Sequence, residues 1–249
     1  MPGAQYATDV NLAARQRLWN LSPRDRELDT FAWLASQVEG SRVVEIGCGN
    51  GRYLERIEGA IGLDLSLGML DAARSRARGP LLCGDAQHLP FADDAFDTVL
   101  APMMLYHVPD RARAAHEMRR VLRPGGVAIA ATNSETTQRE LRGLVEEVVG
   151  NGWQWKPPSD VEFSMENGAA QLAVAFDVVE RHDYEPTVAH VVDADLVTDY
   201  VASVADPYEA ETGLDWSAVA AECGRRAAAV IAERGSFDIV LRGGAFICR

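Results

Sequence analysis

The sequence has few of the features that mark secreted, metal-binding or membrane-spanning chains. Its four cysteines, Cys48, Cys83, Cys223 and Cys248, form no C-x-x-C pair, so we expect free thiols and neither a zinc site nor a disulfide framework. No stretch approaches the roughly 18 consecutive apolar residues of a membrane-spanning helix. The first residues lack the basic and apolar regions of a signal peptide, and we expect a soluble, cytoplasmic protein.

Basic residues are also scarce. The 249 residues include 24 Lys and Arg against 37 Asp and Glu, which gives a net charge of −13. Nucleic-acid affinity depends strongly on neutralising phosphates with Lys and Arg, so this balance opposes a nucleic-acid partner. The densest basic runs, 74–78 and 111–123, fall on predicted helices, where solvated faces explain them. Hydrophobic residues make up 47% of the chain, which is ample for a core.

A glycine-rich segment follows the first predicted strand. An apolar run ends in Glu45, three glycines follow at Gly47, Gly49 and Gly51, and an amphipathic stretch then predicts a helix over 50–58. Glycine reaches positive φ and has no Cβ, so a ligand can approach the backbone closely. The start of a helix offers unpaired N–H groups to an anion. The pattern therefore indicates a nucleotide-type binding site.

The spacing of the glycines decides between two nucleotide classes. A dinucleotide fingerprint, G-x-G-x-x-G, needs a third glycine at position 52, where this chain has Arg52. Asp64 ends the next predicted strand, roughly twenty residues after the first acid, where a carboxylate can accept hydrogen bonds from ribose hydroxyls. The sequence therefore has an acid placed to bind a ribose but lacks the glycine spacing of an NAD-binding loop.

Strands and helices alternate through the middle of the chain. The predicted strands cover 42–46, 60–64, 80–83, 96–101 and 127–132, and further helices cover 66–77 and 110–122. Such alternation predicts a parallel sheet with helices on both faces and ligands at the carboxyl ends of the strands. Two more strands are predicted from the segments 176–180 and 237–247, and other helices over 8–20, 135–149, 193–204 and 215–233 and from an N-cap at Ser22.

The loop E-x-G-x-G-x-G resembles motif I of the class I S-adenosylmethionine (AdoMet) methyltransferases. The segments 60–66, 84–91, 96–100 and 120–126 follow in the order and spacing of that family. The resemblance is closest to small-molecule methyltransferases of the methyltransferase type 11-like kind. It implies an α/β, Rossmann-like, doubly wound and mostly parallel seven-stranded sheet with an antiparallel end strand, to which this chain adds a helical lid.

The resemblance also implies a division of the chain. We expect a single methyltransferase domain over 1–249, with its core in 41–133, 174–192 and 236–249. The helical lid is expected from 1–40 and 193–235, with 134–173 as a connecting helical and loop segment.

Cofactor contacts are implied for residues that match the family motifs. These are Glu45, Gly47, Cys48, Gly49, Gly51, Asp64, Leu65, Met69, Asp85, Ala86 and Ala101. Glu45 is expected at the amino-acid end of AdoMet, Asp64 at the ribose and Asp85 at the adenine amino group. We interpret Cys48 as a small filler of the loop. Tyr6 and Arg15 either contact the methionine carboxylate or the substrate, or belong to a helix that only packs.

The segment after the fourth strand is expected to face the transferred methyl group. His107 is either a general base or an anchor of the loop, and Tyr106 is a second candidate for this pocket. Several relatives have an acidic or amide side chain where Ala101 stands. Trp153 and Trp155 either stack on the substrate or fix a loop, and Tyr184 either reaches the site or packs at the sheet end.

The implied reaction is in-line transfer of a methyl group from AdoMet to an O or N atom of a small molecule, in secondary metabolism. The sequence offers no metal-ligand cluster, and we expect no metal, nucleic acid or membrane partner. An RNA or protein methyltransferase is one alternative, and a non-catalytic AdoMet-binding protein is another.

Overall fold

A computed structural model of the chain describes residues 7–25, 30–157 and 162–249. Its described residues form two units. One, called the sheet unit, has its residues within Asp29–Glu135, Pro157–Tyr184 and Gly243–Arg249. The other, called the helical unit, has its residues within Met1–Leu28, Thr136–Lys156 and Glu185–Arg242.

Nine strands are present among the described residues. They are β1 (Val43–Ile46), β2 (Ile61–Asp64), β3 (Leu81–Cys83), β4 (Phe96–Pro102), β5 (Leu122–Asn133), β6 (Val179–Asp183), β7 (Thr187–Val191), β8 (Phe237–Leu241) and β9 (Gly243–Cys248). The first six strands and β9 form the sheet of the sheet unit, in the order β3-β2-β1-β4-β5-β9-β6.

All neighbouring pairs from β3 to β5 are parallel, and β9 is antiparallel to both β5 and β6. β6 therefore runs in the same direction as the five parallel strands, and its carboxyl end lies at the same edge of the sheet. The predicted mostly parallel seven-stranded sheet with one antiparallel strand is confirmed. The antiparallel strand, β9, was expected at the end of the sheet but lies between β5 and the edge strand β6.

The sheet is buried on both faces, as a doubly wound fold requires. Successive side chains of a strand point to opposite faces. Val44 and Ile46 join one buried cluster with Met118, whereas Val43 joins another with Leu34. Both central strands, β1 and β4, are buried along their whole length, so only their ends are open to a ligand.

Six helices precede β6 within the described residues. They are α1 (Val10–Leu21), α2 (Thr30–Ser36), α3 (Leu67–Ala73), α4 (Arg111–Val121), α5 (Arg139–Val149) and α6 (Gly168–Leu172). Three more, α7 (Ala194–Ala202), α8 (Ala205–Thr212) and α9 (Trp216–Arg234), lie between β7 and β8. α6 and α8 were not predicted from the sequence, because both are too short to show a clear helical period.

The predicted helix over 50–58 is wrong. The structure has only a short 3₁₀ turn, Leu54–Arg56, after the glycine loop. Gly51 and Gly59 both have positive φ, and Ile57 is extended. Seven residues between two such glycines give too little length to offset the cost of nucleating an α-helix.

The prediction of one strand over 237–247 is also wrong. The segment divides at Arg242: β8 pairs with β7 in a two-stranded sheet of the helical unit, and β9 joins the large sheet. The backbone N–H of Arg242 donates to Thr137 Oγ1 instead of continuing a ladder. Both halves are largely apolar, so the pattern predicted a strand without indicating its partners.

Ser22 ends a helix instead of starting one. Its hydroxyl donates to the Leu18 carbonyl at the end of α1, and the following Pro23 accepts from His190 N–H beside β7. The fixed φ of proline is compatible with an extended segment and with the first turn of a helix. The pair Ser22-Pro23 therefore did not distinguish the end of one helix from the start of another.

The helical unit has an aromatic core. Trp216 is fully buried, stacks on Tyr208 with ring centroids 5.2 Å apart, and donates its indole N–H to the Val201 carbonyl. The unit also includes residues 185–192 and 236–242, which the sequence analysis assigned to the core. Its function as a lid stays a prediction. Within the ranges that the structure describes, no helix is both long and apolar enough to cross a membrane.

Gly244 in β9 is a position where the packing tolerates no side chain. A Cβ there would overlap the His182 carbonyl oxygen and approach Met165 Cε to 2.5 Å. We expect Gly244→Ala to lower the free energy of unfolding by about 1–3 kcal/mol, because overpacking moves the neighbouring strand. Urea denaturation measures the effect.

The matched control is Gly143→Ala. A Cβ at Gly143 meets nothing within 4 Å, and the residue lies inside α5. We expect a gain of about 0.5–1 kcal/mol, because Ala forms helix better than Gly. Equal stabilities of the two variants would contradict the packing assigned to β9.

Candidate functional site

The glycine loop lies at the carboxyl end of β1. Gly47, Gly49 and Gly51 all have positive φ, at 66°, 53° and 80°. A Cβ on Gly47 would lie 2.7 Å from Met104 Cβ, and the loop after β4 therefore packs directly on the glycine backbone. The three glycines are required by conformation and, at Gly47, by this close approach.

Asp64 ties the glycine loop to the end of β2. One carboxylate oxygen, Oδ2, accepts from the Gly49 N–H at 2.8 Å, and Oδ1 accepts from the Ser66 N–H at 2.8 Å. Burial raises the pKa of Asp64, and the hydrogen bonds from Ser66 and Gly49 oppose that shift. Each oxygen keeps a further lone pair with which it can accept a hydroxyl hydrogen.

Glu45 is the most buried acid of the site. Its exposed fraction is 1%, and its Oε2 atom is buried and accepts no hydrogen bond from the part of the chain that the structure describes. Burial, and secondarily the nearby charge of Asp64, raise the pKa of Glu45 well above its ordinary value. A buried carboxyl oxygen without a donor is costly, so this position favours a ligand that brings one.

Cys48 fills a small space behind the loop. It is buried, and its Sγ would lie 3.1 Å from a Cβ at Gly62. Burial raises the pKa of the thiol, which keeps it protonated and unreactive. These properties agree with a small filler, and its contact with a cofactor stays a prediction.

Asp85 follows β3 and shapes its own loop. Its Oδ1 accepts from the Gln87 backbone N–H at 2.8 Å and from the Gln87 side chain at 3.0 Å. Burial acts to raise the pKa of Asp85, but the Gln87 hydrogen bonds outweigh it and lower that pKa. Ala86 is buried beside it, whereas Leu65 after β2 is 46% exposed and Met69 in α3 is buried. Leu65 is therefore the more open of the two apolar residues expected at the adenine.

The loop after β4 carries the candidates for the reaction itself. Ala101 is buried within β4, and Met103 just beyond it has a positive φ of 56°, which is uncommon for a non-glycine residue. A 3₁₀ turn, Leu105–His107, follows. His107 is exposed and Tyr106 half-buried, with their rings 4.5 Å apart. Both roles considered for His107 remain open.

Three of the predicted contact residues belong to the helical unit and a fourth is not described. Arg15 is in α1, and Trp153 and Trp155 belong to the helical unit. Trp153 donates its indole N–H to Glu211, and the Trp155 ring packs 5.9 Å from that of Tyr208. These contacts agree with the alternative in which the tryptophans fix a loop. Tyr6 lies outside the described residues.

Tyr53 is a site residue that the sequence analysis missed. It is next to the glycine loop, and burial raises the pKa of its phenol, with further contributions from the charges of Tyr184, Glu45 and Tyr106. Its ring centroid is 4.4 Å from that of Phe31. The prediction of a helix over 50–58 put Tyr53 on a helix face and so away from the site. Its position two residues after Gly51 is the sequence feature that indicates a place beside the glycine loop.

Among the side chains that the structure describes, no group of three or more His, Cys, Asp or Glu is placed to hold a metal ion. The candidate site combines a buried carboxyl, a half-buried carboxyl, a glycine backbone and an aromatic loop, all at the carboxyl ends of parallel strands.

Comparison with known proteins agrees with this geometry. The family model described as a methyltransferase domain matches residues 44–130. Methyltransferase GfsG of Streptomyces halstedii is 43% identical over 104 residues, which are 36% of this chain and 37% of that protein. A demethylmenaquinone methyltransferase of Mycobacterium sp. (strain KMS) is 36% identical over 112 residues, which are 43% of this chain and 48% of that protein. The chain spans less than half the length of these two curated relatives.

A solved structure extends the likeness to the whole fold. The SAM-dependent methyltransferase of Thermotoga maritima aligns over 98% of this chain and 97% of its own, with a TM-score of 0.59 and 20% sequence identity. At this identity the likeness shows the fold. The domain match identifies residues 44–130 as a methyltransferase domain, and the glycine loop and the strand order agree with the class I S-adenosylmethionine-dependent type.

Proposed function

We propose that this protein transfers a methyl group from AdoMet to an O or N atom of a small molecule. The observation that carries the proposal is the buried Glu45 carboxyl, whose Oε2 accepts no hydrogen bond within the described ranges. Glu45 lies one residue before the end of the strand that leads into the three-glycine loop. A function in which no cationic ligand binds here would leave this carboxyl buried without a hydrogen-bond donor.

The side chains of the site fit two parts of AdoMet, its amino-acid end and its ribose. Its ammonium group would donate to Glu45 and restore the ionised carboxylate that burial disfavours. Its ribose hydroxyls would donate to Asp64, whose oxygens are already oriented by Gly49 and Ser66. When bound, AdoMet supplies a methyl group activated by a sulfonium leaving group. The acceptor then has to be held in line with that methyl, and such positioning can contribute about 7–11 kcal/mol.

A small-molecule acceptor is favoured by the charge of the chain. The net charge of −13 opposes binding to a phosphate backbone. The mycobacterial relative carries the name of a methyltransferase for demethylmenaquinone, which is a small molecule, and we extend that class of acceptor to this protein. A role in secondary metabolism stays a prediction from the sequence.

Deprotonation of the acceptor falls to His107 if it is needed. His107 is exposed at the carboxyl end of β4, next to the loop that packs on Gly47. An imidazole titrates near working pH, so it can accept the proton of a hydroxyl or an ammonium group. Tyr106 contacts its ring and would line the same space.

The cofactor assignment is tested first. Calorimetric titration of the full chain with S-adenosylhomocysteine should show micromolar binding, and titration with NAD should show none. Asp64→Ala should weaken binding roughly 10- to 100-fold, because it removes hydrogen bonds to a charged group that contribute about 1.5–3 kcal/mol. Asp71→Ala is the control, since Asp71 is an exposed acid of α3. Equal affinities of the two variants would overturn the ribose assignment, and NAD binding would overturn the proposed function.

The buried acid predicts a pH dependence of stability. Because the pKa of Glu45 is raised in the folded protein, its proton leaves the unfolded chain first as the pH rises above about 4.5, and the free energy of unfolding falls through that window. Glu45→Gln should reduce this fall and also weaken S-adenosylhomocysteine, which loses a carboxylate partner.

Thermal unfolding between pH 5 and pH 8 measures the first effect and calorimetry the second. Glu58→Gln, at an exposed acid of the same unit, should leave both unchanged. If the stability of Glu45→Gln fell with pH as steeply as that of the native protein, the burial of an unpaired carboxyl at Glu45 would be contradicted.

His107→Ala separates the two roles of this histidine. If His107 is a general base, the variant should lower turnover roughly 10²- to 10⁴-fold and leave the affinity for S-adenosylhomocysteine unchanged. Release of S-adenosylhomocysteine is measured with acceptors found in a screen of small hydroxyl and amine compounds. His116→Ala, at an exposed histidine of α4, is the control. Full turnover in His107→Ala would assign His107 to the structure of the loop.

A further inference from the structure

Five aromatic side chains of the sheet unit lie on elements that meet near the glycine loop. This aromatic wall consists of Phe31, Trp33, Tyr53, Tyr106 and Tyr184. It draws on α2, the glycine loop, the loop after β4 and the end of β6, which are distant in sequence. The cofactor contacts named above involve none of these five side chains.

Packing and ring contacts bring three members of the wall together, because Trp33, Tyr53 and Tyr184 all pack against one buried cluster. Tyr53 packs against Phe31, and Trp33 packs edge-on against Tyr184 with ring centroids 5.3 Å apart. Tyr184, Glu45 and Tyr106 are all near enough to Tyr53 for their charges to raise the pKa of its phenol. The wall therefore adjoins the carboxyl expected to hold the amino-acid end of AdoMet.

Tyr184 is held firmly at this place. It follows β6 directly, at the edge of the sheet where the parallel strands end, and its backbone N–H donates to the Gly243 carbonyl at 2.9 Å. Its hydroxyl oxygen is buried, yet it makes no hydrogen bond to any residue that the structure describes. A phenol buried in this way usually finds a partner, and a ligand can provide one.

The phenols of Tyr53 and Tyr184 are donors and not bases. Burial raises the pKa of Tyr184, and burial is also the largest cause of the raised pKa of Tyr53. Both groups therefore keep their protons at neutral pH. A hydroxyl that stays protonated donates to an oxygen or nitrogen lone pair of a ligand, while aromatic rings around it favour a flat apolar body.

We propose that the aromatic wall binds the methyl acceptor and that the acceptor is an aromatic molecule whose ring oxygen substituent accepts a hydrogen bond from Tyr184 Oη. This rests on the proposed function, because the wall is assigned to the acceptor through its place next to the AdoMet site. The inference names a substrate class, phenol-like aromatics, and one side chain that selects within it.

The test compares three probes of similar size on the full chain saturated with S-adenosylhomocysteine. p-Cresol has the ring and the oxygen, toluene has the ring alone, and 4-methylcyclohexanol has the oxygen without the aromatic ring. Ligand-observed NMR titration should give p-cresol the highest affinity, roughly tenfold above toluene, which corresponds to one hydrogen bond.

Tyr184→Phe should bring the p-cresol affinity down to that of toluene while leaving toluene and S-adenosylhomocysteine unchanged. Trp33→Leu should weaken both aromatic probes together. Tyr200→Phe is the matched control, because it removes a phenol that hydrogen-bonds to Gln138 in the helical unit. It should change none of the three affinities.

The outcomes separate the inference from the function on which it rests. If S-adenosylhomocysteine binds but p-cresol shows no preference over toluene and 4-methylcyclohexanol, or keeps that preference in Tyr184→Phe, the inference is wrong and the proposed function stands. If S-adenosylhomocysteine does not bind, the proposed function fails and the acceptor assignment fails with it.

Discussion

Two carboxylates near the carboxyl ends of adjacent parallel strands govern this site. Glu45 is buried one residue before the end of β1, Asp64 is half-buried at the end of β2, and burial raises the pKa of each. Burial of charge is unfavourable unless partners supply hydrogen bonds, and the two residues meet this cost differently. Asp64 uses the backbone of the glycine loop, which fixes the loop in place. Glu45 has an oxygen with no partner in the described chain, and so makes the free site favour a cationic ligand.

The opposite end of the sheet has a carboxylate with the reverse properties. Asp97, near the start of β4, accepts from the backbone N–H groups of Ser41 and Arg42 and from the guanidinium groups of Arg42 and Arg123. These hydrogen bonds, led by that of the Arg42 side chain, lower its pKa. Asp97 is therefore satisfied within the protein and serves the structure. Asp97 thus has a structural role, whereas Glu45 and Asp64, at the other end of the sheet, are the acids that we propose bind the ligand.

Close backbone approach is the second constraint at the functional edge. Met104 packs where a side chain on Gly47 would lie, and Met103 before it adopts a left-handed backbone. Strain of this kind persists only where the surrounding structure determines it, and it is concentrated at functional sites. Here it brings the loop that carries Tyr106 and His107 against the glycine backbone. The turn at Met103 therefore places the loop after β4 and the glycine loop after β1 at the same edge of the sheet.

The sequence by itself determined the sheet, the glycine loop and the acids at the strand ends. Alternating apolar runs and turn residues are local signals, and so is the spacing that excluded an NAD fingerprint. The sequence did not determine the short turn at Leu54–Arg56, the change of sheet at Arg242 or the position of Tyr53. Strand partners and buried contacts depend on residues far apart in the chain, which no local period encodes. Only the tertiary structure brought Trp33, Tyr53 and Tyr184 to one place, because burial and the unpaired Tyr184 hydroxyl arise when separate elements pack around the same strand ends.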